Sequence, residues 1–148
     1  MRARIVVFVS LLSISVACAK EHPCAKAEAQ RADTEAGTLR SWDSLHNSYK
    51  RYKQCDDGDI AEGYSESVAR ILVDHWSTLS RLATLARRDA RFRRFVLGHV
   101  DASLDGDDLK KITANANTRC PSGLSALCAD LAKSADEALK YNESSGIK

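Results

Sequence analysis

Three observations predict an all-α fold: a compact antiparallel bundle of five or six helices, stapled by disulfides. Apolar residues recur at spacings of three and four in one segment after another, and no segment sustains the alternation of a half-buried strand. Only two prolines occur, Pro23 and Pro121, and each precedes an expected helix, whose first turn tolerates a missing amide. Four of the five cysteines fall in the domain itself, an even count that suits two bridges in an oxidising compartment.

The compartment is read from the N-terminus. Arg2 and Arg4 form a positive n-region, Ile5 to Val16 an apolar h-region, and Ala17-Cys18-Ala19 an A-x-A cleavage site, so residues 1–19 are expected to be a secretory signal peptide. The apolar run is too short to span a bilayer and no second run follows. The mature chain is therefore expected in the periplasm or outside the cell. The alternative is a lipoprotein carried on Cys18, although Ser15 stands where such sites usually have leucine. Cleavage removes two arginines and no acid, taking Lys+Arg from 22 to 20 against 20 Asp+Glu. A neutral mature chain has no global attraction for nucleic acid. The helical domain is assigned to 20–141, with 142–148 as a disordered tail.

Between Cys24 and Lys53 a stripe of small residues (Ala25, Ala29, Ala32, Ala36) gives way to a heavier one (Leu39, Trp42, His46, Tyr49, Tyr52), with Gly37 and Thr38 at the join. The spacing fits one long helix or a hairpin that turns at Gly37. Asp59 and Glu62 are spaced as a capping box. From there a central helix carries Tyr64, Val68, Ile71, Leu72, His75, Leu79 and Leu82 on one face and ends near Arg88. Asp89 suits the cap of a helix that buries Phe92, Phe95, Val96, His99 and Val100. An acidic turn, Asp101 to Asp108, leads to a short helix with Leu109, Ile112 and Ala116. The last helix carries Leu124, Leu127, Leu131, Ala135 and Leu139.

The disulfide pairing expected is Cys24 with Cys55 and Cys120 with Cys128. On a continuous helix Cys120 and Cys128 would lie about 12 Å apart, beyond the ~7 Å that a bridge spans. Pro121, Ser122 and Gly123 make the first half a turn instead, which can fold Cys120 back toward Cys128. Cys24 is then left for Cys55. That bridge requires the Gly37 hairpin, because an unbroken helix would hold the two cysteines roughly 45 Å apart.

The run Cys55-Asp-Asp-Gly-Asp-Ile-Ala-Glu-Gly-Tyr-Ser65, followed by Cys120-Pro121 and Leu127-Cys128, resembles small exported all-helical proteobacterial proteins of unassigned activity. The resemblance implies the compartment and the helical class, and no catalytic residue.

Chemistry is sparse. Asp101, Ser103, Asp105, Gly106 and Asp107 match the opening of an EF-hand loop, but Ile112 stands where the bidentate glutamate belongs. The Asp56-Asp57-Gly58-Asp59 turn is read in the same way, as a connection between helices. His46, His75 and His99 lie on three different helices, the arrangement a three-histidine metal site would need. Against this, an isolated histidine on an apolar face usually hydrogen-bonds to its neighbours. No G-x-S-x-G or H-E-x-x-H signature occurs.

The strongest charge feature is Arg87, Arg88, Arg91, Arg93 and Arg94, interrupted only by Asp89 among acids. Of these, Arg87, Arg88, Arg91 and Arg94 are the expected binding residues. The reading that follows is a non-catalytic exported recognition protein of the inhibitor, immunity or periplasmic accessory type, needing no cofactor. Its partner would be an acidic envelope protein or an anionic surface. The alternative is a metal-binding protein or hydrolase using His46, His75, His99 or the acidic turns.

Overall fold

The structure, a computed structural model, describes residues 22–146. The segment expected to be a signal peptide, with its expected cleavage site and Cys18, lies outside the described residues. Those described form seven α-helices with no strand: α1 (Lys26–Ala36), α2 (Trp42–Tyr52), α3 (Gly58–Asp74), α4 (Leu79–Arg88), α5 (Ala90–Gly98), α6 (Gly106–Thr118) and α7 (Ser125–Ser145). The all-helical class is as expected, with more helices than the five or six expected. No described helix is long and apolar enough to cross a membrane.

The first two helices form the hairpin. α2 opens on a capping box in which the Ser44 amide donates to Ser41 Oγ at 3.2 Å and the Ser41 amide to Ser44 Oγ at 3.3 Å. At the turn Gly37 keeps an ordinary right-handed φ of −81°, so the positive φ expected of a C-cap glycine is not what places it there. The need for glycine lies across the interface, at Gly63 of α3. A Cβ on Gly63 would stand 3.0 Å from Ala36 Cβ and 3.1 Å from the Gly37 nitrogen. α1 and α3 therefore touch nearly backbone to backbone, and Ser67 Oγ donates to the Ala36 carbonyl across the contact. Cys24 is bonded to Cys55 with Cα atoms 4.9 Å apart, and Cys120 to Cys128 at 6.0 Å, in the pairing expected.

The long central helix is divided. α3 stops at His75, and a 3-10 turn, Trp76–Thr78, leads into α4. The Thr78 hydroxyl and amide both donate to the His75 carbonyl, at 2.7 and 2.9 Å. That local bonding competes with helix continuation. Trp76 is buried, and its Nε1 donates to the Arg119 carbonyl at the end of α6 at 2.9 Å. Tyr64, Val68, Ile71, Leu72, Leu79 and Leu82 are all buried as their spacing predicts, whereas His75 is exposed at the break.

The entry to α3 also differs from the expectation. The cap is Asp57, whose carboxylate accepts from the Gly58 amide at 2.9 Å, and Asp59 lies exposed in the first turn. Gly58 has a φ of 52°, which turns the chain into the helix two residues before the expected capping box. Pro23 and Pro121 sit ahead of α1 and α7 without entering their first turns. At the other end α7 runs on through Ser145, with Asn142 buried, so residues 142–145 belong to the helix and not to a tail; Ile147 and Lys148 lie outside the described residues.

α6 and α7 form an antiparallel hairpin closed by the Cys120–Cys128 bridge and tied at mid-length by Thr113 Oγ1 donating to Asp136 at 2.9 Å. The core runs from Trp42 and Leu45 through α3 to Leu109, Ile112 and Leu131. Ser48 and Tyr64, both fully buried, share a 2.8 Å hydrogen bond across α2 and α3. Burial pushes the Tyr64 phenol above its ordinary pKa, against the smaller opposing effect of the Ser48 bond. Tyr64→Phe is expected to strand the Ser48 hydroxyl and cost about 1–2 kcal/mol in chemical denaturation; an unchanged midpoint would mean that Ser48 finds another partner.

Candidate functional site

The helical spacing turns Phe92 and Val96 of α5 into the core and leaves arginines on the opposite side. Asp89 forms the corner between α4 and α5. One carboxylate oxygen accepts from the Arg91 and Phe92 amides at 3.1 and 3.0 Å, while the other meets His46 Nε2 at 3.3 Å. Partial burial acts to raise the Asp89 pKa, but the two amides and the His46 ring outweigh it and hold it below 3.8. A depressed carboxylate pKa gives stability that is present in full above 3.8 and is lost as pH falls through the lower folded value. Asp89→Asn keeps a capping side chain and removes the charge, so acid unfolding of the variant should be less steep below about pH 4. Parallel acid titrations followed by circular dichroism check this, and superimposable acid limbs would contradict it.

The basic cluster divides by what each arginine touches. Arg93 is half-buried and pairs with Asp130 of α7, which removes it from the outward set. Arg87 reaches Thr84 Oγ1 at 3.2 Å. Arg88, Arg91 and Arg94 are exposed and enter no ion pair among the described residues. Elsewhere three arginines are paired, Arg51 with Glu35 at 2.6 Å, Arg70 with Asp108, and Arg81 with both oxygens of Asp43, whereas Arg40 and Arg119 bond neutral oxygens. The Arg81 hydrogen bonds hold the exposed Asp43 carboxyl below its usual range, against the opposing effect of burial.

Arg87, which precedes Arg88 in sequence, also lines a groove of about 240 Å³. Ala83, Ala86 and Arg87 of α4 form one side and Arg93 of α5 an edge; Gly123, Leu124, Ala126 and Leu127 form the opposite wall. That wall lies within the loop closed by Cys120 and Cys128. Gly123 has a φ of 77°, a conformation that glycine adopts without the strain a side chain would add. Apart from Arg87 and Arg93, the lining side chains are apolar. Sequence reasoning named the arginines but missed the groove, whose walls are roughly 40 residues apart in the chain.

The three histidines do not converge. His46 packs on Phe92 with centroids 4.6 Å apart and meets Asp89; His99 packs on Phe95 at 4.3 Å; His75 is at the end of α3. Among the described residues no group of three His, Cys, Asp or Glu side chains is placed to hold a metal ion. His99 instead joins a buried chain in which Nδ1 meets Ser65 Oγ at 2.9 Å and Nε2 meets Asp56 at 3.2 Å, with Asp101 accepting from Ser65 at 3.2 Å. This resembles a nucleophile–base–acid chain only in composition. Ser65 is 1% exposed, so no substrate carbonyl can approach its oxygen in this arrangement, and the network ties α3 to α5 and to the turn before α6. The acidic turns are likewise committed to structure. Asp105 caps α6 through the Asp107 amide at 2.8 Å, and Asp101 Oδ1 accepts from the Ser103 amide and hydroxyl.

The fold and site together define a helical domain, tied by two disulfides, that presents an apolar groove beside unpaired arginines. Compared with protein families, with curated proteins and with solved structures, the chain matches none.

Proposed function

We propose that the protein is a small exported recognition module, non-catalytic, that binds an acidic envelope protein through the exposed edge of α4 and α5. The single observation that carries this reading is the contrast among its arginines. Among the described residues Arg51, Arg70, Arg81 and Arg93 each have a carboxylate; Arg87, Arg88, Arg91 and Arg94, which cluster in sequence, have none, and the others without one, Arg31, Arg40 and Arg119, are scattered along the chain. Neighbouring like charges one helical turn apart repel by about 0.2–0.5 kcal/mol per pair, a cost that an acidic partner relieves. Export is supported by the two disulfides and by the leader-like sequence of residues 1–19.

The test is the double charge reversal Arg91→Glu with Arg94→Glu. Stability should stay within about 0.5 kcal/mol of the parent, as for most exposed substitutions. An acidic partner captured stoichiometrically from envelope extract by the parent should be lost by the variant, and its capture should weaken as salt is raised. Unfolding of the variant would make these side chains structural, and undiminished capture would place the interface elsewhere.

A further inference from the structure

We infer that the partner presents an acidic segment with one apolar side chain, and that this side chain seats in the groove between α4 and the Cys120–Cys128 loop while the flanking carboxylates meet Arg87, Arg88 and Arg91. The inference rests on the arginine-edge reading and adds what lies next to that edge. The groove's 240 Å³ is just below the usual range for a small-molecule cleft, which is roughly 300–1,000 Å³. It suits a single leucine- or phenylalanine-sized anchor, the type of group that fixes a peptide in a shallow interface.

Charge complementarity selects the occupant. Arg87 forms part of the groove wall itself, and its guanidinium bonds only a neutral hydroxyl, that of Thr84. Arg93, the other arginine of the lining, is already neutralised by Asp130, which ties α5 to α7. Of the two lining arginines, Arg87 is therefore open to a carboxylate and Arg93 is not. An apolar anchor followed by acids on the α4 side satisfies both. A purely anionic polymer would engage the arginines and leave the groove floor empty.

The Cys120–Cys128 bridge gives this site its shape. Gly123, Leu124, Ala126 and Leu127 line the groove from inside the closed loop. The bridge belongs as much to the recognition surface as to the fold.

Two glutamate-rich fluorescent peptides test the inference, one with a single central leucine and one with serine in its place, titrated by anisotropy against the full mature chain at low salt. The leucine peptide should bind about tenfold tighter, since burying most of such a side chain is worth about one decade of affinity. Ala126→Trp fills the groove from an exposed position and should erase the leucine preference while leaving the arginine-dependent affinity for both peptides. Joint replacement of Cys120 and Cys128 by serine should reduce the preference in the same way. Equal affinities in the parent would overturn the groove and leave the arginine edge standing. Failure of both peptides to bind, or binding only to anionic vesicles, would overturn the groove and the acidic-protein reading together.

Discussion

Joint replacement of Cys24 and Cys55 by serine lowers the melting temperature by roughly 10–20 °C, the largest single effect expected in this domain. The bridge joins residues 31 apart in sequence, and closing a loop of that size restricts the unfolded chain by about 4 kcal/mol in the chain-entropy account. The Cys120–Cys128 bridge spans 8 residues and is expected to contribute less, about 2.5 kcal/mol. The folded state gives a second reason for the order. α1 buries only Ala32 and Ala36, too little apolar surface to hold a polar helix of its length against the domain unaided. Without the bridge α1 should be the first element to detach, and its amides should lose hydrogen-exchange protection before those of α3. Calorimetry of the double variant measures the first claim and exchange mass spectrometry the second. A melting temperature within a few degrees of the parent would mean that α1 is held by its contacts with α2 and α3 without the bridge.

Gly63→Leu is the second large effect, a loss of about 3 kcal/mol. Gly63 lies in the interior of α3, where leucine favours the helix by nearly 1 kcal/mol, so local propensity predicts stabilisation. Tertiary contact reverses the sign. The added Cβ meets Ala36 Cβ at 3.0 Å and the Gly37 nitrogen at 3.1 Å, and the obstructing atoms are backbone or rigidly attached to it. α1 must move outward, breaking the Ser67 bonds to the Ala36 carbonyl and to the Leu39 amide. Overpacking of this kind typically costs 1–3 kcal/mol, and the longer side chain belongs at the upper end. Gly98→Ala is the control, because nothing lies within 4 Å of a Cβ built there; it should be neutral or slightly stabilising. Urea denaturation of the two variants separates the readings. Equal midpoints would show that the helix pair opens without penalty.

Part of the site could be read from local pattern. Asp89 was recognisable as a cap because it precedes a run with helical spacing, and it accepts from two amides at the start of α5. Phe92 and Val96 were legible as the buried face of the same helix. Arg91 and Arg94 then had to point outward. Arg93 was left out of the expected binding residues, but its partner Asp130, on another helix, was not legible. His99 was legible as an imidazole at the core's edge, but its partners Ser65 and Asp56 carry no sequence signal, being 34 and 43 residues away.

Spacing along the chain was enough for the helical class, the apolar face of nearly every element, the cap Asp89 and the expectation that Cys120 pairs with Cys128, because a helix repeats every 3.6 residues and a bridge reaches only ~7 Å. The Cys24–Cys55 bridge also needed a reversal near Gly37, which spacing left open, and the cap of α6 was open between Asp105 and Asp107, a choice decided by the Asp107 amide meeting Asp105. Where the central helix breaks was settled by packing, since the apolar spacing runs unbroken from Tyr64 to Leu82 while the stop at His75 is accompanied by Trp76 reaching the Arg119 carbonyl. The same holds for the role of Gly63, which is a close approach between backbones, and for the groove, whose walls meet because α7 returns along α6 and is pinned to α5 by Arg93. Spacing specifies which side of a helix is apolar; which apolar sides meet, and what gap they leave, is settled by packing among residues distant in the chain.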